Sequence, residues 1–321
     1  MRLALVSLLA VAALCLPVQG QSQGKIYRLS VLTQADISVR SVRTFVLPEL
    51  AKLGFVDGSN LITDIRVGDV KALPQLAREM VDQAPDAILT VATPSGRAAR
   101  EATSTVPIVV FGGEDAVSEG LVQSVSRPGG NITGVVILSK TLDAKRLELL
   151  HEAVPAARRI AILLYSYSPI LAEEEKQFRL AAQDAGVEPL FFQVAGPDEY
   201  PAAFAAMTAA GAQALIIGAY PTFFSHIERL TALALQAQLP TVCEWASMAG
   251  QGCLVGYGPD RKKLYQVAAR QLAQVLQGTS PDKIPVEQPA VFEFAINLRI
   301  ARALGVAIPQ DLSVRADEVI E

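Results

Sequence analysis

Arg158-Arg159-Ile160-Ala161-Ile162-Leu163-Leu164-Tyr165 is the stretch on which the fold turns. So short and continuous an apolar run, bounded by helical patterns, reads as a strand covered on both faces. It opens a strand–helix alternation that the chain has already run once. The first copy comprises strand Ile26–Thr33, helix Val39–Leu53 closed by Gly54, strand Asn60–Val67, helix Lys71–Gln83, strand Asp86–Val91, helix Ser95–Ser104 and the short strand Val106–Phe111. After Arg158–Tyr165 the second copy continues as helix Ala172–Ala185 with Gly186, strand Val187–Val194, helix Tyr200–Ala210 with Gly211, strand Gln213–Gly218, helix Phe223–Gln236 and strand Pro240–Cys243. The step from second to third strand is 60 to 86 in one copy and 187 to 213 in the other, 26 residues each time. A βαβ unit of that length closes with a right-handed crossover, so each copy is expected to form a parallel sheet in a Rossmann-like α/β lobe. Helix Ala144–Ala153 sets Leu147, Leu150 and Val154 on one stripe, the pattern of a helix packed on a sheet face.

The ends of the chain bear on its compartment. Met1-Arg2 is followed by an apolar run from Leu3 to Leu16, about 14 residues, and then by Pro17-Val18-Gln19-Gly20. A spanning helix needs roughly 20 apolar residues, and Val18 and Gly20 suit a signal peptidase. Residues 1–20 are therefore expected to be a cleaved secretory signal. Cys15 raises the alternative of a lipid anchor, against which Leu14 stands where such sites prefer a small residue. The rest of the 321 residues suffice for two lobes of ordinary size. Apolar residues make up 51% and charged ones 19%, a balance that suits buried parallel strands. A net charge of −4 provides no broad basic surface, so nucleic acid is not an expected partner. Beyond the leader only Cys243 and Cys253 remain, and an even count in an exported chain points to a disulfide. The alternative is two buried thiols that never meet. With two histidines in the chain and neither near that pair, zinc is not expected.

Two doubly wound lobes also suit a dehydrogenase, a racemase or a glycosyltransferase. The first strand–helix turn, Leu32-Thr33-Gln34-Ala35-Asp36, has no glycine where a dinucleotide fold needs three. Gly112-Gly113 and Gly129-Gly130 stand outside that context and read as turns. No phosphate loop, zinc-protease motif or nucleophile elbow occurs, and no carboxylate pair nominates itself as acid and base. His151 and His226 read as surface or capping residues of helices.

Ligands of open α/β sheets bind beyond the C-terminal strand ends, at helix N-termini. That rule selects Thr33 and Gln34, then Thr93-Pro94-Ser95, then Gly112 to Asp115 in the first lobe. In the second it selects Tyr165 to Ser168, Tyr220 to Phe224, and Glu244-Trp245. Thr93 and Ser95 offer hydroxyls for a small anion, or serve as an ordinary helix cap. Tyr165, Tyr167, Tyr220, Phe223, Phe224 and Trp245 would form an aromatic wall; Phe223 and Phe224 have the alternative of packing their own helix. Glu114, Asp115 and Glu244 are candidates for a ligand ammonium, and the first two equally for capping.

The segment Arg127-Pro128-Gly129-Gly130-Asn131-Ile132-Thr133-Gly134 resembles one found in ABC-transporter substrate-binding proteins of the tryptophan/tyrosine-uptake type. Leu53–Gly58, Lys145–Leu150, Val286–Pro289, Phe292-Glu293, Ile296–Leu298 and the ending from Leu304 to Ile320 match in order as well. The resemblance implies a type I periplasmic-binding-protein fold whose two lobes are joined by a three-strand hinge, near Val135–Ser139, Leu254–Gly258 and Pro285–Phe292. Residues 25–136 with 257–285 would form the N-terminal lobe, and 137–256 with 286–321 the C-terminal one. It further implies a monomeric periplasmic receptor without cofactor or catalytic residues, which closes on a small ligand, an amino acid or aromatic carboxylate, and passes it to an ABC permease in the inner membrane. A periplasmic sensing partner of a signalling system is the alternative. Two departures lie at the cleft: Gly113-Glu114-Asp115-Ala116-Val117 where many relatives read Gly-Gly-Asp-Pro-Val, and Tyr165-Ser-Tyr-Ser-Pro169 where many read Asn-Pro-x-Asn-Pro.

Overall fold

The computed structural model describes residues 25–113, 116–117, 119–137, 139–168 and 170–321. The leader with Cys15, and Glu114-Asp115, lie outside the described residues.

The chain folds as two α/β lobes, and the duplication is visible in strand order. The first sheet contains β1 (Tyr27–Thr33), β2 (Leu61–Val67), β3 (Ala87–Val91), β4 (Ile108–Phe111) and β5 (Ile132–Val135), ordered β2-β1-β3-β4-β5 and parallel throughout. The second contains β6 (Arg159–Tyr165), β7 (Glu188–Val194), β8 (Ala214–Ile217), β9 (Thr241–Cys243), β10 (Val255–Pro259), β11 (Phe292–Asn297) and β12 (Glu318–Ile320). Its order is β12-β11-β10-β9-β8-β6-β7, so its first five strands repeat the order of the first sheet. Strands β3, β4 and β8 are buried along their whole length and β6 through all but its end residues, as continuous apolar runs in parallel sheets require.

Three elements depart from the sequence reading. β11 runs antiparallel to β10, so the second sheet is not wholly parallel. The helix expected over Phe223–Gln236 is two helices, Pro221–Ser225 and Ile227–Gln236, broken at His226, whose ring Nδ1 lies 3.2 Å from the Tyr200 hydroxyl. Both histidines are half-buried, and His226 stands at the cap between the two helices, as one of its two expected roles has it. The helix expected from Ser95 instead spans Thr93–Ala102, because Pro94 fits the first turn, where its missing N–H has no partner to lose.

The chain passes between the lobes three times. After β5 it enters the helix Ser139–Ala153, which packs on β8, β9 and β10; after β10 the helix Arg261–Leu276 packs back on β3, β4 and β5. The third passage leads into β11. Backbone bonds tie the crossings together: Val136 N–H to Glu287 C=O at 3.0 Å, Glu287 N–H to Gly134 C=O at 2.9 Å, and Asp260 N–H to Val291 C=O at 3.0 Å. Two glycines permit this crowding. A Cβ at Gly134, whose φ is +152°, would stand 2.0 Å from the Val110 carbonyl oxygen, and one at Gly258 would stand 2.1 Å from that of Glu244. One apolar cluster reaches across the lobes, joining Phe111, Leu264 and Tyr265 to Phe223 and Trp245.

Candidate functional site

In each lobe the C-terminal strand ends carry the polar residues that the topology rule selects, and the helix after β1, Asp36–Ser41, contacts the short helix after β8, Pro221–Ser225, across the lobes. The two sides are built differently. On the first lobe, Thr33 is buried at the end of β1, with Gln34 half-buried beside it. Beyond β3 the chain turns at Ala92, which adopts φ +69°, ψ 155°, and enters the helix without any side-chain cap. The expected capping role of Thr93 and Ser95 therefore falls away. A non-glycine residue at positive φ is a conformation that surrounding structure must enforce, and such positions gather at functional sites. The Ser95 hydroxyl in that first turn is fully buried and has no hydrogen-bond partner among the described residues. Thr93 stands half-buried next to Gly113, where its Oγ1 would lie 2.9 Å from an added Cβ.

The second lobe is already bonded. Arg146, 1% exposed, donates from Nη1 to Asp143 Oδ1 at 2.7 Å, from Nε to the Tyr257 carbonyl at 3.0 Å and from Nη2 to the Glu244 carbonyl at 3.3 Å. It thus fastens the helix Ser139–Ala153 to the ends of β9 and β10. Burial raises the pKa of Asp143, against the pull of Arg146. Glu244, just past β9, is also buried, and burial pushes its carboxyl up to about 7; Arg146 opposes that shift, Asp143 adds to it, and Arg261 and Trp245 oppose it. Cys243 and Cys253 form a disulfide with Cα atoms 6.2 Å apart, closing the loop that carries Glu244 and Trp245.

An aromatic cluster lies beyond β6 and β8. Tyr165 meets Tyr220 at 5.7 Å and Tyr167 at 5.7 Å between ring centroids, and Tyr220 meets Phe223 at 5.4 Å. The Tyr220 hydroxyl bonds the buried carboxylate of Glu174, which also accepts from Ser168 Oγ at 3.0 Å. Burial, then the Glu174 charge, drive the Tyr220 phenol far up, so it remains a donor. Of the two roles open to Phe223 it takes packing, against Tyr200 and Tyr165. Trp245 is buried beside Gly258. Sequence reasoning missed Arg146, Glu174 and Arg261; an acid–base pair at Asp143 and Arg146, three apart on the stripe of Leu147 and Leu150, was the signal for the first. Among the described residues no group of histidine, cysteine and carboxylate side chains could hold a metal ion.

Two parallel-sheet lobes, crossed three times and facing each other with hydroxyls on one side and charges and aromatics on the other, define the class of type I periplasmic binding proteins. Residues 38–320 match the family described as ABC transporter substrate binding protein, and the chain belongs to that family. It is 27% identical over 257 residues to a tyrosine-binding protein of Clostridioides difficile, covering 79% of this chain and 73% of that one. Among solved structures it resembles a conserved domain protein from Vibrio cholerae (TM-score 0.85, 25% identity, 92% of this chain and 100% of the other). It also resembles an ABC domain from Streptococcus pneumonia in complex with L-Trp (TM-score 0.83, 23% identity, 92% and 99%), which bears on the fold alone.

Proposed function

We propose that this receptor captures an aromatic amino acid or aromatic carboxylate between its lobes and delivers it from the periplasm to an ABC permease, without catalysing a reaction. The observation that carries the reading is the Tyr165–Tyr220 pair beyond β6 and β8, which shares one apolar cluster with Trp245, next in the chain to the buried carboxyl of Glu244. An aromatic face supplies area for a ring, and a carboxyl raised toward neutrality by burial ionises fully when it pairs with an ammonium. Thr33, Gln34, Thr93, Pro94 and Ser95 form the opposite wall, with Glu114 following Gly113, which lies next to Thr93; Phe223 and Trp245 support the second-lobe wall from behind. The hinge lies at the three crossings, dividing residues 25–136 and 257–285 from 137–256 and 286–321. Closure then stabilises binding through contacts made only when both walls meet the ligand. The tyrosine-binding relative supports the ligand class. No helix among the described residues is long and apolar enough to cross a membrane, which fits an exported receptor released from its leader.

A thermal-shift screen of the chain from Gln21 onward tests this reading against Trp, Tyr, Phe and aromatic carboxylates. A ligand at 100 times its Kd adds about 2.7 kcal/mol of stability. A flat response to that set, with a clear response to another class of solute, would sink the ligand assignment and leave the receptor.

A further inference from the structure

Arg261 opens the helix that returns to the first lobe, directly after its N-cap Asp260. Its guanidinium lies 5.8 Å from the centroid of Phe45, on the first lobe, and 4.7 Å from that of Phe224, on the second. Phe45 sits in a π-helical turn, Val42–Val46, and stacks on Tyr265 one turn along from Arg261. Such turns are frequent where a helix presents a functional side chain. A guanidinium is planar, and its five N–H donors point outward in that plane. Phe45 and Phe224 attract it as a cation but satisfy none of those donors. Nη1 is fully buried and has no hydrogen-bond partner among the described residues. The carboxylates of Glu244 and Glu293 act on Arg261 through space, yet neither forms an ion pair with it. A buried cationic donor left without a partner is among the costlier arrangements a fold can hold.

Resting on the ligand reading above, we infer that Arg261 receives the ligand's carboxylate, so that the receptor selects α-amino acids by their paired charges. Glu244 takes the ammonium and Arg261 the carboxylate that an α-amino acid carries one carbon away. Each group feels the other's charge, and Arg261 lies over Phe224, in the helix that follows Tyr220 on the second lobe. The helix turn at Thr93–Ser95 then contributes neutral donors only. Since Arg261 already touches an aromatic side chain from each lobe, a carboxylate bound there would hold the two lobes together.

The test compares L-Tyr, L-Trp and L-Phe with their carboxamides, which keep the ring and ammonium and lose the anionic charge. Calorimetry of the wild type should show each acid binding about thirtyfold more tightly than its amide. In Arg261→Gln that ratio should collapse to about threefold or less. Arg261→Lys, which keeps the charge without the planar fork, should fall between. General damage to the site weakens acid and amide alike, so the ratio separates recognition from structure. An unchanged ratio in Arg261→Gln overturns the inference while the ligand reading stands. If no acid binds the wild type but other solutes do, the ligand reading fails and this inference with it.

Discussion

The two lobes share one strand order but reach the cleft in opposite conditions. At the second lobe, Arg146, Asp143, Glu174, Ser168 and Tyr220 are bonded to one another or to backbone, and a disulfide closes the loop of Glu244 and Trp245. At the first, Ser95 is buried without a partner among the described residues, and Ala92 is held at positive φ. On the proposed function, this asymmetry sets an order of events: an aromatic ring would dock first on the second lobe, whose ordering cost is already met, and the first lobe would close because closure supplies partners its side chains lack.

The most damaging way to break the comparison is to unfasten the finished wall. Arg146→Ala removes three hydrogen bonds and strands the buried Asp143 carboxylate. Removing one member of a buried ion pair costs about 3–5 kcal/mol, so thermal unfolding should fall by about 10 °C. Arg146→Met together with Asp143→Leu should recover much of that loss; no recovery would mean that the bonds to the Tyr257 and Glu244 carbonyls, not the buried pair, carry the stability. Next in size, Cys243→Ser opens the loop that carries Glu244 and Trp245. The chain-entropy model gives about 3 kcal/mol for a bridge of this span. Denaturant unfolding should show that loss, with affinity for the ligand weakened as the loop gains freedom; unchanged affinity would show that the loop is ordered without its bridge.

Glu244 sharpens the comparison through pH. Its carboxyl rises from 4.5 to about 7 on folding, through burial first. Between those values the folded protein binds more protons than the unfolded chain, so stability falls as pH rises through the window and levels off above it. Asp143, Arg146 and Arg261 are the charges that face it. From about pH 5 to about pH 8 the loss should be about 2 kcal/mol, and Glu244→Gln should flatten that part of the profile. A profile that keeps its slope in Glu244→Gln would assign the titration to another group.

The sheets were legible because β3, β6 and β8 are short runs made mostly of Val, Ile, Leu and Ala, as strands covered on both faces require. The positions of Thr93, Tyr220 and Glu244 followed from topology alone. What the sequence hid depends on distant partners. Arg146 stands in an ordinary amphipathic helix, and its burial is licensed by carbonyls 98 and 111 residues away. Arg261 looks like any cation at a helix start until Phe224 of the other lobe lies over it. His226 breaks a helix that local propensity would continue, where the Tyr200 hydroxyl lies beside its ring. The antiparallel β11 has no local mark either, since an apolar strand reads alike in both directions.

The smallest expected effect is the most direct test of the unfinished wall. Ser95→Ala removes a buried hydroxyl that finds no hydrogen-bond partner among the described residues. Deleting an unsatisfied polar atom relieves a desolvation penalty, so the empty variant should be equal to or up to about 1 kcal/mol more stable than the wild type. If the ligand supplies the missing partner, the same change should weaken binding by about fivefold, a gain in stability paired with a loss of function. Thr33→Val or Thr93→Ala offers no such contrast, because neither hydroxyl is both buried and unpartnered. Should Ser95→Ala lose stability in the empty state, the hydroxyl already has a partner there, and the first lobe is as finished as the second.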